Sequence, residues 1–135
     1  MTPLAVLQEI MKRWPNRSEE LNLETLRKRF SGFLTDDFVY SNFANRPFGN
    51  FSIFSKELVI GKTAKVLVFD TKDREYPNLA VLEETDDGRW LLKAFLFWCL
   101  SCFGTGTCSG DTELCDVCGA TGWGLVDYVN GKTAI

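Results

Sequence analysis

Four of the five cysteines in this chain fall in two pairs, Cys99-Leu-Ser-Cys102 and Cys115-Asp-Val-Cys118, with twelve residues between the pairs. No other feature of the sequence limits the fold as tightly. A Cys-x-x-Cys turn sets two sulfurs on one side of the backbone, and two such turns at this separation complete a tetrahedron of thiolates around one zinc ion. Thiolates bind zinc at about 2.3 Å, and four of them leave no open position for water or substrate. The site expected from Cys99, Cys102, Cys115 and Cys118 is therefore closed and structural, with one zinc per chain. Cys108 is left over. It reads as a small buried thiol, a labile thiol or a substitute ligand.

Glycines follow each pair: Gly104 and Gly106 after the first, and Gly119, Gly122 and Gly124 after the second. Glycine suits the turn after a ligand, because it lets backbone N–H groups approach the sulfurs. The string Cys99-Leu-Ser-Cys102-Phe-Gly104-Thr-Gly106 resembles the Cys-x-x-Cys-x-Gly-x-Gly repeat of the DnaJ-type cysteine-rich zinc finger. Cys115-Asp-Val-Cys118-Gly-Ala-Thr-Gly122-Trp-Gly124 looks like a second copy with displaced glycines. The resemblance covers residues 99–124. It implies zinc on the four paired cysteines and contact with non-native or assembling protein chains. A full finger domain has four repeats and two zincs, whereas this chain has two repeats and room for one. It has no histidine, so the His-Pro-Asp signature of a J-domain is absent. Phe103 and Trp123 flank the two pairs near positions that a finger exposes at its tip, and both are expected to touch a partner.

Ahead of the cysteines the pattern is that of an α+β domain. Thr2 caps a helix with Pro3 at its first position, and Leu4, Leu7, Met11 and Trp14 share one face. A second helix is expected from Asn22, with Leu23, Leu26, Phe30, Phe33 and Leu34 on one stripe. From Asp37 the pattern turns to β. Phe38 to Tyr40, Phe51 to Phe54, Leu58 to Ile60 and Ala64 to Phe69 read as strands, and Asp86-Asp87-Gly88 reads as the turn of a hairpin between Leu79–Glu84 and Arg89–Leu100. The last of these strands is apolar on both sides. Strict alternation places Trp90, Leu92, Leu96 and Trp98 on one face, and Leu91, Phe95 and Phe97 on the other. A strand with two apolar faces is central and covered on both sides. The helices cover one face; the cysteine-rich segment, a second subunit or a partner covers the other. The expected architecture is two N-terminal helices packed on an antiparallel β-meander over residues 1–98, followed by a four-cysteine zinc-finger segment and tail over 99–135.

The strings LTDDFVY and LEETDDGRWLL also resemble, faintly, the cone-shaped nuclear-transport-factor-like fold. That likeness implies an aromatic-lined cavity, with Asp37, Tyr40 and Trp90 as the residues to inspect for a small ligand.

The bulk properties narrow the function classes. The net charge is −3, and a nucleic-acid binder would show a basic stripe for phosphate contacts. The one basic cluster, Arg27-Lys28-Arg29, reads as a solvated helix face. The most apolar run, Trp90 to Leu100, contains Lys93 and falls short of the roughly 20 residues of a membrane span. The N-terminal residues lack a signal-peptide pattern, so a reducing, cytoplasmic setting is expected, where cysteines stay as thiols or metal ligands. Without histidine the commonest general base is missing, and no nucleophile–base constellation replaces it. The expectation is a non-enzymatic zinc-binding protein–protein interaction module of chaperone-like or assembly type, with a protein partner or client, or a second copy of itself. The alternatives are a thiol–disulfide redox protein using its Cys-x-x-Cys pairs, and a small-molecule-binding nuclear-transport-factor-like domain.

Overall fold

The computed structural model describes residues 1–14, 23–40, 51–70 and 78–97, with the short strand segments 107–108, 113–114, 126–127 and 132–133. It is a mixed α+β structure. Helix α1 spans Pro3–Lys12 and α2 spans Leu23–Arg29. The strands are β1 (Leu34–Tyr40), β2 (Phe51–Phe54), β3 (Leu58–Ile60), β4 (Thr63–Asp70), β5 (Asn78–Glu84) and β6 (Trp90–Phe97). Strands β1 to β6 form one sheet in the order β1-β6-β5-β4-β2, with β3 also paired to β4.

Helix α1 starts as its residues dictate. The Thr2 hydroxyl accepts the N–H of Ala5 at 3.1 Å, and Pro3 occupies the first turn, where its missing N–H removes no bond. Val6, Leu7, Ile10 and Met11 are buried, the i, i+3, i+4 stripe of a helix lying on a core. Helix α2 buries Leu26 completely, along with Phe30 directly after its last residue. It ends earlier than its apolar stripe suggests: Gly32 takes a φ of 85°, a left-handed conformation that a helix cannot continue through. Phe33 and Leu34 are only partly buried, and Leu34 opens β1.

Between β5 and β6, Gly88 supplies the positive φ of 83° that the turn needs. The turn closes through Thr85 N–H to the Arg89 carbonyl at 2.7 Å and Gly88 N–H to the Thr85 carbonyl at 3.0 Å.

Two features of the sheet depart from the expected antiparallel meander. The run β4-β5-β6 is antiparallel, but β1 joins the other side of β6 in parallel. The second departure is a bulge at Lys93. Val81 registers with Ala94 and Leu82 with Leu92, so Lys93 has no register partner on β5. On the β1 side Leu34 registers with Leu92 and Val39 with Ala94, so the stretch Thr35 to Phe38 stands against Lys93 alone. A bulge adds one residue and reverses the side-chain alternation beyond it. Strict alternation therefore fails for β6. Trp90, Leu92 and Phe95 share the helix-side core, and Ala94 and Leu96 belong to the opposite face.

The helix-side core joins α1, α2 and the sheet. Phe95 lies at its centre, with ring centroids 5.0 Å from Trp14 and 5.3 Å from Phe51, distances typical of tilted and edge-to-face aromatic pairs. The opposite face carries a smaller cluster of Leu79, Val81, Ala94 and Leu96, with Val39 and Leu67 packed against it.

Candidate metal centre

Strand β6 ends at Phe97, two residues before Cys99. The central strand of the sheet thus delivers the chain to the first cysteine pair. The stretch between the pairs contains a small ladder, β7 (Thr107–Cys108) antiparallel to β8 (Glu113–Leu114), with Thr107 opposite Leu114 and Cys108 opposite Glu113. Leu114 directly precedes Cys115. A second ladder follows the second pair: β9 (Val126–Asp127) is antiparallel to β10 (Lys132–Thr133), with Val126 opposite Thr133. Each cysteine pair is thus followed by a two-stranded hairpin.

Antiparallel partners have Cα atoms about 4.5–5.5 Å apart. The β7–β8 register therefore brings the chain that has left Cys102 back beside the chain that enters Cys115. Cys99, Cys102, Cys115 and Cys118 themselves lie outside the described residues, as do Phe103 and Trp123. Cys108 belongs to β7 as a register partner of Glu113. Among the described residues, no cluster of three or more metal-ligating side chains occurs.

Of the three residues expected to line a cone, Asp37 and Trp90 do not converge. Trp90 is buried in the helix-side core. It borders a cavity of about 160 Å³, together with Val6, Phe33, Arg89 and Leu91. Asp37 is exposed on the opposite face, where Lys93 Nζ approaches its Oδ2 at 3.7 Å. Tyr40 registers with Phe95 at the end of β1, and its side chain lies outside the described residues.

The residue that sequence reasoning passed over is Lys93. It hydrogen-bonds Glu83 at 3.0 Å and reaches Asp37 from the bulge. Its hydrogen bond to Glu83 and the charges of Asp37 and Glu83 raise its pKa above the ordinary value. Asp37 is held below the ordinary carboxylate value, first by the Thr35 hydroxyl, which donates to Oδ1 at 2.7 Å, and then by the Lys93 charge. The available signal was a single charge inside the most apolar run of the chain.

No known protein family, curated protein or solved structure matches this chain.

Strand β3 exposes Leu58, Val59 and Ile60 at 58%, 45% and 71% along an edge of the sheet, an arrangement open to strand addition. A wide hollow beside α2 is bordered by Glu24, Arg27, Lys28 and Ser31. There Lys28 pairs with Glu24 at 3.3 Å, and Arg27 Nη2 reaches the Phe38 carbonyl at 3.5 Å.

Proposed function

We propose that residues 99–124 bind one structural zinc through Cys99, Cys102, Cys115 and Cys118, and that the chain acts through protein–protein contact as a chaperone-like or assembly accessory in the cytoplasm. The observation that carries this reading is the β7–β8 ladder, which folds the stretch between the two cysteine pairs back on itself and ends one residue before Cys115. Four thiolates meeting at one zinc would need the chain to fold back between the pairs, and such a site would leave no open position for a substrate.

The contact surface is Phe103 and Trp123, each beside a cysteine pair and each followed by glycine, with the exposed edge strand β3 as a further apolar element. Aromatic side chains of this kind anchor interfaces out of proportion to their number. The small-molecule reading draws no support from the geometry, because Asp37 and Trp90 lie on opposite faces of the sheet.

The test is the aggregation of a reduced, unfolded reference protein in the presence of the zinc-loaded chain. The wild-type chain should slow aggregation, and Trp123→Ala and Phe103→Ala should weaken this effect while leaving the circular dichroism of the α+β part unchanged. Equal rates with and without the wild-type chain would remove the client-binding reading.

A further inference from the structure

Strand β3 lies on an edge of the sheet whose backbone direction and side-chain faces can both be assigned. The Lys62 carbonyl accepts the Glu84 N–H at 2.8 Å, which directs position 62 towards β5 and the next residue, Thr63, towards β3. Antiparallel ladders alternate bonded and non-bonded pairs. Ile60 opposite Thr63 and Leu58 opposite Lys65 therefore bond to β4, and Val59 between them turns its N–H and C=O outward. Among the described residues no strand pairs with that side of β3. The stretches 41–50, 71–77 and 98 onward join the sheet at its other end, at Tyr40, Phe51, Asp70, Asn78 and Phe97.

Val59 registers with Ala64 of the helix-side core, so Leu58 and Ile60 stand on the face away from the helices, with Lys65 beside Leu58. Two residues before Leu58, Lys56 falls on the same face, while Glu57 turns the other way to meet the Leu4 N–H of α1. Lys56 and Lys65 are exposed, and neither has a carboxylate partner among the described residues. Lys62 reaches only Asp86, on the neighbouring turn. Glu83, the carboxylate opposite Thr63, is held by Lys93. Two exposed aliphatic side chains are thus bounded by three lysines, on a chain whose net charge is −3.

We infer that β3 receives an extended segment of another protein, whose alternate side chains are apolar in the middle and acidic at the ends. The outward groups of Val59 supply main-chain hydrogen bonds, Leu58 and Ile60 meet the apolar side chains, and Lys56, Lys62 and Lys65 meet the carboxylates. A second copy of this edge is a poorer match, because the register that pairs Val59 with Val59 sets Lys56 against Lys62 at each end. The inference rests on the protein-contact reading proposed above and names the chemistry of the segment bound.

The test uses the dilute full chain and a blocked peptide, Glu-Thr-Val-Thr-Val-Thr-Glu, whose Glu and Val side chains share one face. At saturation it should slow exchange of the Val59 amide about tenfold, read by NMR, and leave Leu58 and Ile60, already bonded to β4, unchanged. Proline at the central Thr removes a ladder donor and should weaken binding about tenfold or more. Lysine in place of both Glu should do the same, and Lys56→Glu with Lys65→Glu, both at exposed positions, should reverse that preference. No saturable binding up to about 1 mM, equal binding of the acidic and basic peptides, or binding without a change at Val59 overturns the inference. So does a Val59 amide already slow in the dilute free chain, since another segment or copy then holds the edge. A chain that slows aggregation through Phe103 and Trp123 but ignores the peptide loses only this edge. One that binds the peptide without slowing aggregation keeps the edge and loses the chaperone-like reading.

Discussion

The Glu57 carboxylate accepts the backbone N–H of Leu4 at 2.8 Å, tying the first turn of α1 to the break between β2 and β3. The first N–H groups of a helix have no partner within it. Thr2 satisfies one of them, and Glu57 satisfies another from across the fold. The same break is closed on its other side by Ser55, whose hydroxyl accepts the Leu67 N–H at 2.8 Å while its own N–H donates to the Leu67 carbonyl at 2.9 Å.

Replacing Glu57 with alanine should therefore cost about 1 kcal/mol, in the range of a lost helix cap. Urea unfolding of wild type and Glu57→Ala measures it. Glu57→Gln, which keeps an acceptor oxygen, should fall between the two.

Phe95→Ala should cost roughly 3–5 kcal/mol, because it removes a fully buried ring from between Trp14 and Phe51 and leaves a cavity. Leu58→Ala, at 58% exposure on the edge strand, should change stability by no more than about 0.5 kcal/mol. Equilibrium denaturation followed by tryptophan fluorescence compares the two directly.

That contrast marks how far the sequence could be read. Local signals were legible: Thr2 and Pro3 start α1, Leu7, Met11 and Trp14 turn inward, and Gly88 makes the β5–β6 turn. The faces of β6 were not legible beyond Leu92. A single lysine in an apolar run gives no period of its own, and the bulge at Lys93 depends on β5 and β1 both shifting register there. Non-local pairing likewise decided that β1 runs parallel to β6, and Leu34 looked like helix until Gly32 took a positive φ. Trp90, ahead of the bulge, keeps the face it shares with Leu92, whereas Asp37 meets Lys93 on the other side, a placement that depends on the parallel pairing of β1 with β6. The cysteine pairs were legible as a spacing, and the β7–β8 register adds the return path between them.

Asp37 should titrate below the ordinary value of 3.8. A carboxylate with a depressed folded-state pKa stabilises the fold above its unfolded pKa, and that contribution disappears as the pH falls through the folded value. Its share of the stability is thus present at neutral pH and is lost only in acid. Thr35→Val removes the leading cause and should move the Asp37 midpoint upward, towards 3.8. Lys93→Met, which removes a charge and a hydrogen bond that also lower it, should move it in the same direction. Carbon-detected NMR of the Asp37 carboxyl reads both shifts.

Val59→Lys on the β3 edge should leave the fold intact and reduce self-association or client contact made through that edge, since an edge lysine opposes strand addition. Sedimentation velocity of wild type and variant over a range of concentrations provides the check. If the edge serves contact, the variant should remain monomeric at concentrations where the wild type begins to associate.

Metal content measured together with a thiol count tests the central claim most directly. Elemental analysis of the purified chain should give one zinc per molecule. A thiol reagent should meet four protected cysteines and release them on chelation, with Cys108 behaving independently of the metal. Cys115→Ser should lose the zinc, because three thiolates leave the tetrahedron open. A metal-free chain with five freely reactive thiols, or full zinc occupancy in Cys115→Ser, would contradict the account.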